Sequence, residues 1–564
     1  MIPKNRFRIP LSLAPFFNHS RLKLFFGAGN KELYGDKNEH YETSQRDNPP
    51  LFLLNYLTLS SGSDDHHGGY FGSFPKFLYY QTNLQVVDIS NVKMKGGVGF
   101  PWWLVSNNTN LKSLNLQNCS LSGSIQLPIH HQDHRQKGLE FLDISDNEVY
   151  GSIPPHICAF LPNITYLYLS NNQLSGKIPK QLSNCSLLMW LDARNNTLSG
   201  EIPRRIWNMP RIGVVDLSSN SFSGTLPPDF ISPYMQGVYL SRNKLGGSLS
   251  EKEYVNYDLQ VLDLGHNRFT GTFPTWIVEM PRLTHLLLND NELQGEILPP
   301  LCLGQLKLID DSHNQFFGRL SSALTSNNVR CNTSKKDEVY FIDDLEFTTK
   351  SNRIIYKGEP LILMSGLDFS NNHFFGEIPP QIGHLDTIKV LNLSYNMLTG
   401  PIPPTFSGLI SIETLDISHN NLSGVILTQL TALNYLSSFS VAYNNLSGKC
   451  PKRVGQFGTF DEDSYRGNPH LMNCTLLQST PKPYVTQTPT DDEYGGYIDI
   501  ESFYTSSGVS FVLVLLTITS VLYINPYWRQ VWFYYVRVTT TTCYYFVVDH
   551  LPVSTRYKVW EPHV

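Results

Sequence analysis

The sequence is poor in the residues from which catalytic, metal and nucleic-acid sites are built. Only eight cysteines occur in 564 residues, which excludes a small fold held together by a dense set of disulfides. Charged residues make up 16% of the chain and the formal net charge is -5, so no electrostatic argument favours a nucleic-acid partner. We find no nucleophile-base-acid set, no glycine-rich phosphate-binding loop and no metal-ligand spacing. The sequence therefore predicts neither an enzyme nor a protein with a metal or a cofactor.

One nine-residue phrase recurs along the chain instead, Leu-x-x-Leu-x-Leu-x-x-Asn or a close aliphatic variant. Within each of two runs the Asn residues are 23 to 25 residues apart, which is the period of a leucine-rich repeat, and 58 residues separate the runs. The Asn positions are Asn147, Asn172, Asn196, Asn220, Asn243, Asn267, Asn291 and Asn314, then Asn372, Asn396, Asn420 and Asn444. Earlier turns are looser, with Gly62, Val92 and Cys119 at the Asn place.

This phrase predicts a short strand in each turn. In the segment from Leu167 to Asn172, Leu167 and Leu169 point inward and Tyr168 points outward, because side chains alternate along a strand. The terminal Asn turns inward, where its amide can bond backbone groups of adjacent turns. One unit cannot bury its apolar edge alone, so the turns stack into an α/β leucine-rich repeat solenoid with short parallel strands on the concave face.

The residues after each Asn narrow the subclass. Leu174–Pro179, Leu198–Pro203 and Leu398–Pro403 share the form Leu-x-Gly-x-Ile-Pro, in which Gly permits a sharp turn and Pro ends strand pairing. This form resembles the plant-specific leucine-rich repeat of about 24 residues found in extracellular receptors, over roughly residues 80 to 450.

The C-terminal part predicts a membrane anchor. Residues 506–524 form a 19-residue stretch without charge, long enough for one transmembrane helix. Acidic residues precede this stretch, and Trp528, Arg529, Trp532 and Arg537 follow it, which places the C-terminus in the cytoplasm. The Asn-x-Ser/Thr sequons agree, because none lies beyond residue 475. They predict glycosylation at Asn18, Asn107, Asn118, Asn163, Asn184, Asn195, Asn332, Asn392, Asn421, Asn445 and Asn473.

The order of parts resembles that of a plant receptor-like protein, a cell-surface receptor without a kinase domain. Three segments are similar to parts of that family: Leu345 to Asp368 to its non-repeat island, Gly458 to Pro469 to its C-terminal cap, and Asn525 to Arg529 to its membrane exit. The expected parts are a degenerate repeat remnant (1–50), a solenoid (51–320), the island (321–363), four further repeats (364–448), the cap (449–476), an acidic juxtamembrane segment (477–505), a transmembrane helix (506–524) and a short cytoplasmic tail (525–564).

The resemblance implies a single-pass receptor of the plasma membrane with its repeats outside. Such a receptor binds a peptide, glycan or microbial protein and signals, in defence or development, by recruiting a partner receptor kinase and a co-receptor. The family usually starts with a signal peptide and a cysteine-paired cap, whereas residues 5–20 resemble the middle of a repeat, which predicts an N-terminally truncated form. Two alternatives stay open: an inhibitor of wall-degrading enzymes built on the same repeats, and a non-signalling truncated decoy or pseudogene product.

The cysteines and one histidine cluster are candidates for disulfides or a metal site. Cys450 and Cys474 bracket the cap and are candidates for a disulfide, as are Cys302 and Cys331 beside the island. Cys119, Cys158 and Cys185 occupy repeat positions where a small buried hydrophobe serves equally well, which favours free thiols. His130, His131, Asp133 and His134 lie in a loop insertion, and nothing in their spacing fixes a metal site.

Candidate ligand contacts lie between the buried Leu positions, on the concave face that solenoids use for binding. The recurrent Asp column there, which includes Asp143, Asp192 and Asp216, follows the repeat consensus and is interpreted as structural. Departures from the consensus are more informative, because aromatic and Arg side chains are enriched at binding hot spots. The predicted face comprises Tyr166, Tyr168, Trp190, Arg194, Tyr239, Arg242, His266 and His285, and the island is expected to add Lys350, Arg353 and Tyr356.

Overall fold

The structure is a computed structural model. It describes residues 8–10, 13–28, 32–34, 49–60, 73–94, 97–126, 138–249, 256, 258–297, 306–320, 345–349, 352–356, 364–472 and 474, and the structural statements below concern these residues. The predicted span at 506–524, the tail, Cys302, Cys331, Gly62 and the histidine cluster lie outside them.

The main element is a parallel sheet of sixteen described strands, which we call the principal sheet. Each strand pairs in register with the corresponding strand of the next turn, as Tyr166, Leu167 and Tyr168 pair with Trp190, Leu191 and Asp192. The strands are Leu24–Phe26, Tyr56–Thr58, Val86–Asp88, Ser113–Asn115, Phe141–Asp143, Tyr166–Tyr168, Trp190–Asp192, Val214–Asp216, Gly237–Tyr239, Val261–Asp263, His285–Leu287, Leu308–Asp310, Gly366–Asp368, Val390–Asn392, Thr414–Asp416 and Ser438–Ser440. The predicted solenoid of short parallel strands is confirmed.

The backbone geometry that recurs from turn to turn depends on the inward Asn side chains. The Oδ1 atom of Asn172 accepts a bond of 2.9 Å from the Val149 amide, and its Nδ2 atom donates to the carbonyls of Ile144 and Leu169 at 2.9 and 3.2 Å. Each Asn therefore satisfies buried backbone groups in two turns, and leaving such groups unpaired would cost about 1–3 kcal/mol. The predicted ladder is confirmed, and Asn468 in the cap extends it by one turn beyond Asn444.

A second parallel sheet of fourteen described strands follows the Asn ladder, and the sequence analysis missed it. It is built from the Leu-x-Gly segments that we interpreted as turns; the Gly residues, such as Gly176 with φ 79° and Gly400 with φ 77°, make the bend at their ends. The strands are Ser122–Ser124, Glu148–Gly151, Gln173–Gly176, Thr197–Gly200, Ser221–Thr225, Lys244–Ser248, Arg268–Thr272, Glu292–Gly295, Gln315–Arg319, His373–Glu377, Met397–Pro401, Asn421–Val425, Asn445–Lys449 and His470–Met472.

Short helices complete many turns, and most of them are 3-10 helices. The α-helices are Trp102–Asn107 and Ile157–Phe160; the 3-10 helices are Ala14–Phe16, Lys76–Tyr80, Lys180–Asn184, Arg204–Ile206, Thr275–Glu279, Pro380–His384, Pro404–Gly408, Thr428–Ala432, Gly455–Gly458 and Glu462–Ser464. Apolar side chains from both sheets and these helices form one core that runs along the stack. A fully buried side chain such as Leu167 or Leu191 contributes about 1.5–3 kcal/mol.

Two cysteine predictions hold and one is wrong. Cys450 and Cys474 form the predicted disulfide of the cap, and Cys119 is a buried free thiol whose pKa burial raises to about 12. Cys158 and Cys185, which we expected to be free thiols, form a disulfide with their Cα atoms 5.0 Å apart. They are 27 residues apart, close to one repeat, and so occupy neighbouring turns in which helix Ile157–Phe160 contacts helix Lys180–Asn184.

The island interrupts the sequence of repeats without interrupting either sheet. Strand Leu308–Asp310 pairs directly with Gly366–Asp368, and Gln315–Arg319 pairs with His373–Glu377. We call the turn that contains Leu308–Asp310 and the turn that contains Gly366–Asp368 the junction. The described part of the island is an antiparallel hairpin of strands Leu345–Thr349 and Asn352–Tyr356, which we call the island hairpin. Strand Arg8–Pro10 pairs with Glu32–Tyr34 near the start of the chain.

Candidate ligand-binding face

A row of aromatic side chains crosses the principal sheet in three successive turns. Phe141, Tyr166, Tyr168 and Trp190 occupy outward positions of their strands and are all half-buried. The ring centroids of Phe141 and Tyr168 lie 5.5 Å apart, and those of Tyr168 and Trp190 lie 6.0 Å apart. We call these four residues the aromatic row. Rigid amphipathic rings of this kind supply contact area at a low cost in conformational entropy.

The Asp column beside the aromatic row is structural, as the sequence analysis expected. In Asp143, one carboxylate oxygen accepts bonds from the amide and the hydroxyl of Ser145 at 2.8 and 2.6 Å, and Asp216 binds Ser218 in the same way. Burial raises the pKa of Asp143, whereas these bonds act to lower it. The carboxylates therefore fix the turn that follows each strand.

Arg194 departs from this pattern. It is two residues after Asp192, at the position that Ser145 and Ser218 occupy after Asp143 and Asp216. Its guanidinium lies 3.8 Å from Asp192 and 3.5 Å from Asp216, and its side chain is 21% exposed. One cation thus neutralises two neighbouring carboxylates beside the aromatic row. The predicted residues Tyr166, Tyr168, Trp190 and Arg194 are brought together in two adjacent turns.

The island hairpin covers the next turns of the same sheet. Leu345 of the hairpin is fully buried in a cluster with Val214, Tyr239, Val261 and Leu287, against which Trp190 and Tyr356 also pack. Tyr239 is 1% exposed and His285 is 0% exposed. The prediction that these two residues are available on the face is therefore wrong for this structure: both are buried, and Tyr239 is covered by Leu345 of the chain's own island.

A second cluster seats the hairpin on the junction. Phe347, which is 1% exposed, packs on Leu308, Met364 and Val390. A Cβ atom at Gly366 would lie 2.8 Å from the Phe347 ring, so the absence of a side chain at this position lets the ring lie on the strand.

Polar contacts join the edge of the hairpin to the predicted face. Arg242 binds Glu346 of the hairpin through Nε at 3.0 Å and through a second guanidinium nitrogen. His266 lies with Nδ1 2.9 Å from Asp290 and with Nε2 3.9 Å from Glu346. Arg242 and His266, both predicted as ligand contacts, thus engage the island in this structure.

Nearby, Asp263 is buried under the hairpin. Burial raises its pKa to about 6, although the hydrogen bond from Ser241 acts to lower it.

Among the predicted island residues, Tyr356 packs against the solenoid, Arg353 lies in the second hairpin strand, and Lys350 lies outside the described residues. The residues that anchor the hairpin, Leu345, Glu346 and Phe347, were missed as site residues, although their alternation of apolar and polar side chains is typical of a strand with one buried face.

The sequons differ in accessibility. Asn18, Asn107, Asn184, Asn195, Asn421 and Asn445 are exposed, whereas Asn118, Asn163 and Asn392 are half-buried. Asn392 donates to Asp368 at 3.0 Å and accepts from Ser394, so its side chain is engaged in the sheet. Asn332 and Asn473 lie outside the described residues, and glycosylation at every sequon stays a prediction.

The described residues contain neither a metal-binding cluster nor a membrane-spanning helix. No group of three or more His, Cys, Asp or Glu side chains in this part of the chain is arranged to hold a metal ion. None of the helices within the same residues combines the length and the apolar character that crossing a membrane requires.

Comparison with known proteins identifies relatives of both the repeats and the whole chain. Leucine-rich repeat families match residues 110–131, 137–198, 212–232, 258–280 and 364–422. The chain is 30% identical to Cuscuta receptor 1 of Solanum lycopersicum over 99% of its own length and 60% of that protein, and 30% identical to Receptor-like protein 18 of Arabidopsis thaliana over 61% of its length and 35% of that protein. It therefore spans only part of the length of these relatives.

Among solved structures, the chain is similar to the crystal structure of PEPR1-AtPEP1. That likeness has a TM-score of 0.61 and 26% sequence identity, and covers 80% of this chain and 59% of that one. The plant peptide hormone receptor RGFR1, solved in complex with RGF2, shares the fold with a TM-score of 0.51 at 23% identity, over 80% of this chain and 79% of that one.

Proposed function

Since the chain belongs to the plant leucine-rich repeat receptor-like proteins, we propose that it is a cell-surface receptor that binds a peptide or protein ligand along the aromatic row and beside the island hairpin. The observation that carries the proposal is the aromatic row itself, which ends at Trp190 where the hairpin begins. The likeness in fold to RGFR1, a plant peptide hormone receptor solved in complex with RGF2, supports the choice of a peptide over a glycan.

The proposal also concerns membrane attachment and signalling. The uncharged stretch 506–524 anchors the chain in the plasma membrane with its repeats outside, and the remaining 40 residues contain no kinase motif. We propose that the signal passes through a partner receptor kinase and a co-receptor. An inhibitor of wall-degrading enzymes needs no anchor, so extraction of membranes with carbonate separates the two functions: a receptor stays in the pellet.

The ligand class is tested on plant cells that express the full chain at their surface. Extracts of microbial and plant walls are applied, and the oxidative burst is compared with that of cells lacking the chain. Protease treatment of an active extract should abolish the response, while glycosidase treatment should leave it intact. A response that survives protease and is lost with glycosidase would contradict the peptide proposal.

The binding face is tested by truncating the aromatic row. Tyr168→Ala and Trp190→Ala should each raise the ligand concentration for half-maximal response about 30-fold, which corresponds to roughly 2 kcal/mol at a hot spot. Tyr234→Ala, at a tyrosine that is 64% exposed outside the principal sheet, is the matched control and should have no effect. Equal surface levels of all variants are required, and a lower level of Trp190→Ala alone would identify Trp190 as a packing residue.

A further inference from the structure

Asp311 occupies a position that the fold reserves for a buried hydrophobic residue. The corresponding residues of other turns include Leu240, Leu264, Leu288 and Phe369, and all of them are buried. Asp311 is 0% exposed, and neither of its carboxyl oxygens has a hydrogen-bond partner among the described residues. An ionised carboxylate in such a place is strongly unfavourable, so the folded junction favours the protonated form.

Two further carboxyls lie at the same junction, each at the last residue of one of the two paired strands of the principal sheet. Asp310 and Asp368 are opposite each other in register and are 2% and 1% exposed. Ser312 donates to Asp310, and Ser370 and Asn392 donate to Asp368. These bonds stabilise ionised carboxylates in part, but two negative charges side by side oppose each other.

The charged groups around the three carboxyls do not compensate them. The charge of Asp368, which has the same sign, raises the pKa of Asp311, and the charges of Asp368 and Asp311 raise the pKa of Asp310. His313 lowers the pKa of Asp368, but burial outweighs it. The preceding strand presents Leu287 and Leu288, and its His285 is in register with Leu308. Lys389, at the start of the strand after the junction, is paired with Glu413, and Glu346 of the hairpin is paired with Arg242.

Protonation therefore depends on whether the junction is closed. Burial, followed by the like charge of Asp368, raises the pKa of Asp311 to about 8, and burial also raises the pKa of Asp310 and of Asp368. In an opened junction the carboxyls ionise at ordinary values near 4. Since the closed form binds more protons, its stability is greatest below about pH 4 and falls as pH rises toward about 8, by a factor of ten per pH unit for Asp311, and the raised pKa values of Asp310 and Asp368 add to this fall.

We propose that the junction is a pH-sensitive switch, which holds the island hairpin docked in acidic surroundings and lets it detach as the surroundings become alkaline. The connection to the hairpin is direct, because Phe347 is seated on Leu308 and Gly366 of the two junction strands. The biological meaning rests on the proposed function, since the hairpin covers part of the proposed binding face. Detachment would uncover Tyr239, Val261 and Leu287.

Hydrogen exchange of the full chain without any ligand tests the switch. Protection factors, corrected for the intrinsic rate at each pH, are measured from pH 5.5 to 7.5 by mass spectrometry. Amides of Leu345–Thr349 and Gly366–Asp368 should lose at least about tenfold in protection per pH unit. Amides of Tyr166–Tyr168, which lie several turns away and outside the hairpin clusters, should not show this loss.

Asp311→Leu restores the hydrophobic residue of the other turns and so is expected to fold. It should remove about one factor of ten per pH unit from the dependence at the junction and hairpin. Asp416→Asn is the matched control, because burial raises the pKa of Asp416 too, in the same sheet but beyond the junction. An unchanged dependence in Asp311→Leu, or an equal dependence at Tyr166–Tyr168, would overturn the proposal. Because no ligand is present, either result leaves the receptor function untouched, and failure of the receptor assays leaves the switch untouched.

Discussion

The turns that carry the aromatic row and the turns under the island hairpin share one backbone plan but bury different surfaces. In the first region Tyr166, Tyr168 and Trp190 fill the outward strand positions and stay half-buried. In the second, Val214, Gly237 and Val261 occupy the first strand position, and all three are buried. Small side chains at this position let the hairpin approach the sheet, as Gly366 does under Phe347.

The same difference appears in the carboxylates. Asp143 is half-buried and its turn is open, whereas Asp263, Asp310 and Asp368 are buried. Burial raises the pKa of Asp143 in the open region as well, and in the covered region, where burial is more complete, it raises the pKa of Asp263 to about 6. The repeat sequence therefore sets the contacts within a turn, and the segment that covers the turn adds to the burial of its carboxyl.

Removing the hairpin's main anchor should have the largest effect on this difference. Phe347→Ala removes a fully buried ring and should weaken hairpin docking by about 3–5 kcal/mol. The buried Tyr239 should then react with tetranitromethane, which mass spectrometry detects as nitration; Tyr234, which is 64% exposed, reacts in both proteins and calibrates the assay.

Ile355→Ala is the matched control for this change. Ile355 is on the same hairpin but is 59% exposed, so its truncation should leave Tyr239 unreactive. Gly366→Val attacks the same contact from the side of the sheet, because the new side chain would collide with the Phe347 ring, and should reproduce the effect of Phe347→Ala. If Tyr239 stays unreactive in both variants, Phe347 is not the residue that holds the hairpin over Tyr239.

The sequence was sufficient to predict the repeats and insufficient to predict the covered region, for a physical reason. Asn172, Leu167 and their equivalents interact with adjacent turns, so a periodic pattern contains the necessary information. Tyr239 is buried by Leu345, more than a hundred residues away, and no local pattern reports such a contact. The disulfide between Cys158 and Cys185 escaped for a related reason, since both positions also suit a small hydrophobic residue.

Removing the disulfide between Cys158 and Cys185, which stabilises the open region, should have an intermediate effect. Cys158 and Cys185 link the helices of the two turns around Tyr166–Tyr168 and Trp190–Asp192. Replacing both with Ala should lower the free energy of opening there by about 3 kcal/mol, as expected for a loop of this length. Hydrogen exchange of amides in Tyr166–Tyr168 measures the change.

The cap provides the matched control for the disulfide. Replacing Cys450 and Cys474 with Ala removes a bond with a similar separation, 24 residues, at the other end of the repeats. It should loosen the cap and leave exchange at Tyr166–Tyr168 unchanged. Equal loosening of the aromatic row by both double variants would mean that the solenoid opens as one unit, without separable regions.

The smallest effect is expected from the ion pair at the edge between the two regions. Arg242 and Glu346 are 48% and 20% exposed, so solvent screens their attraction, and their coupling in a double-mutant cycle should be below about 1 kcal/mol. Arg242→Ala, Glu346→Ala and the double variant are compared by hydrogen exchange of the hairpin amides, at low and high salt. Arg204 and Asp229, a pair with 69% and 25% exposure that lies away from the hairpin, are the matched control and should leave hairpin exchange unchanged when truncated. A salt-independent coupling above about 2 kcal/mol would show that the pair, rather than Leu345 and Phe347, determines where the covered region ends.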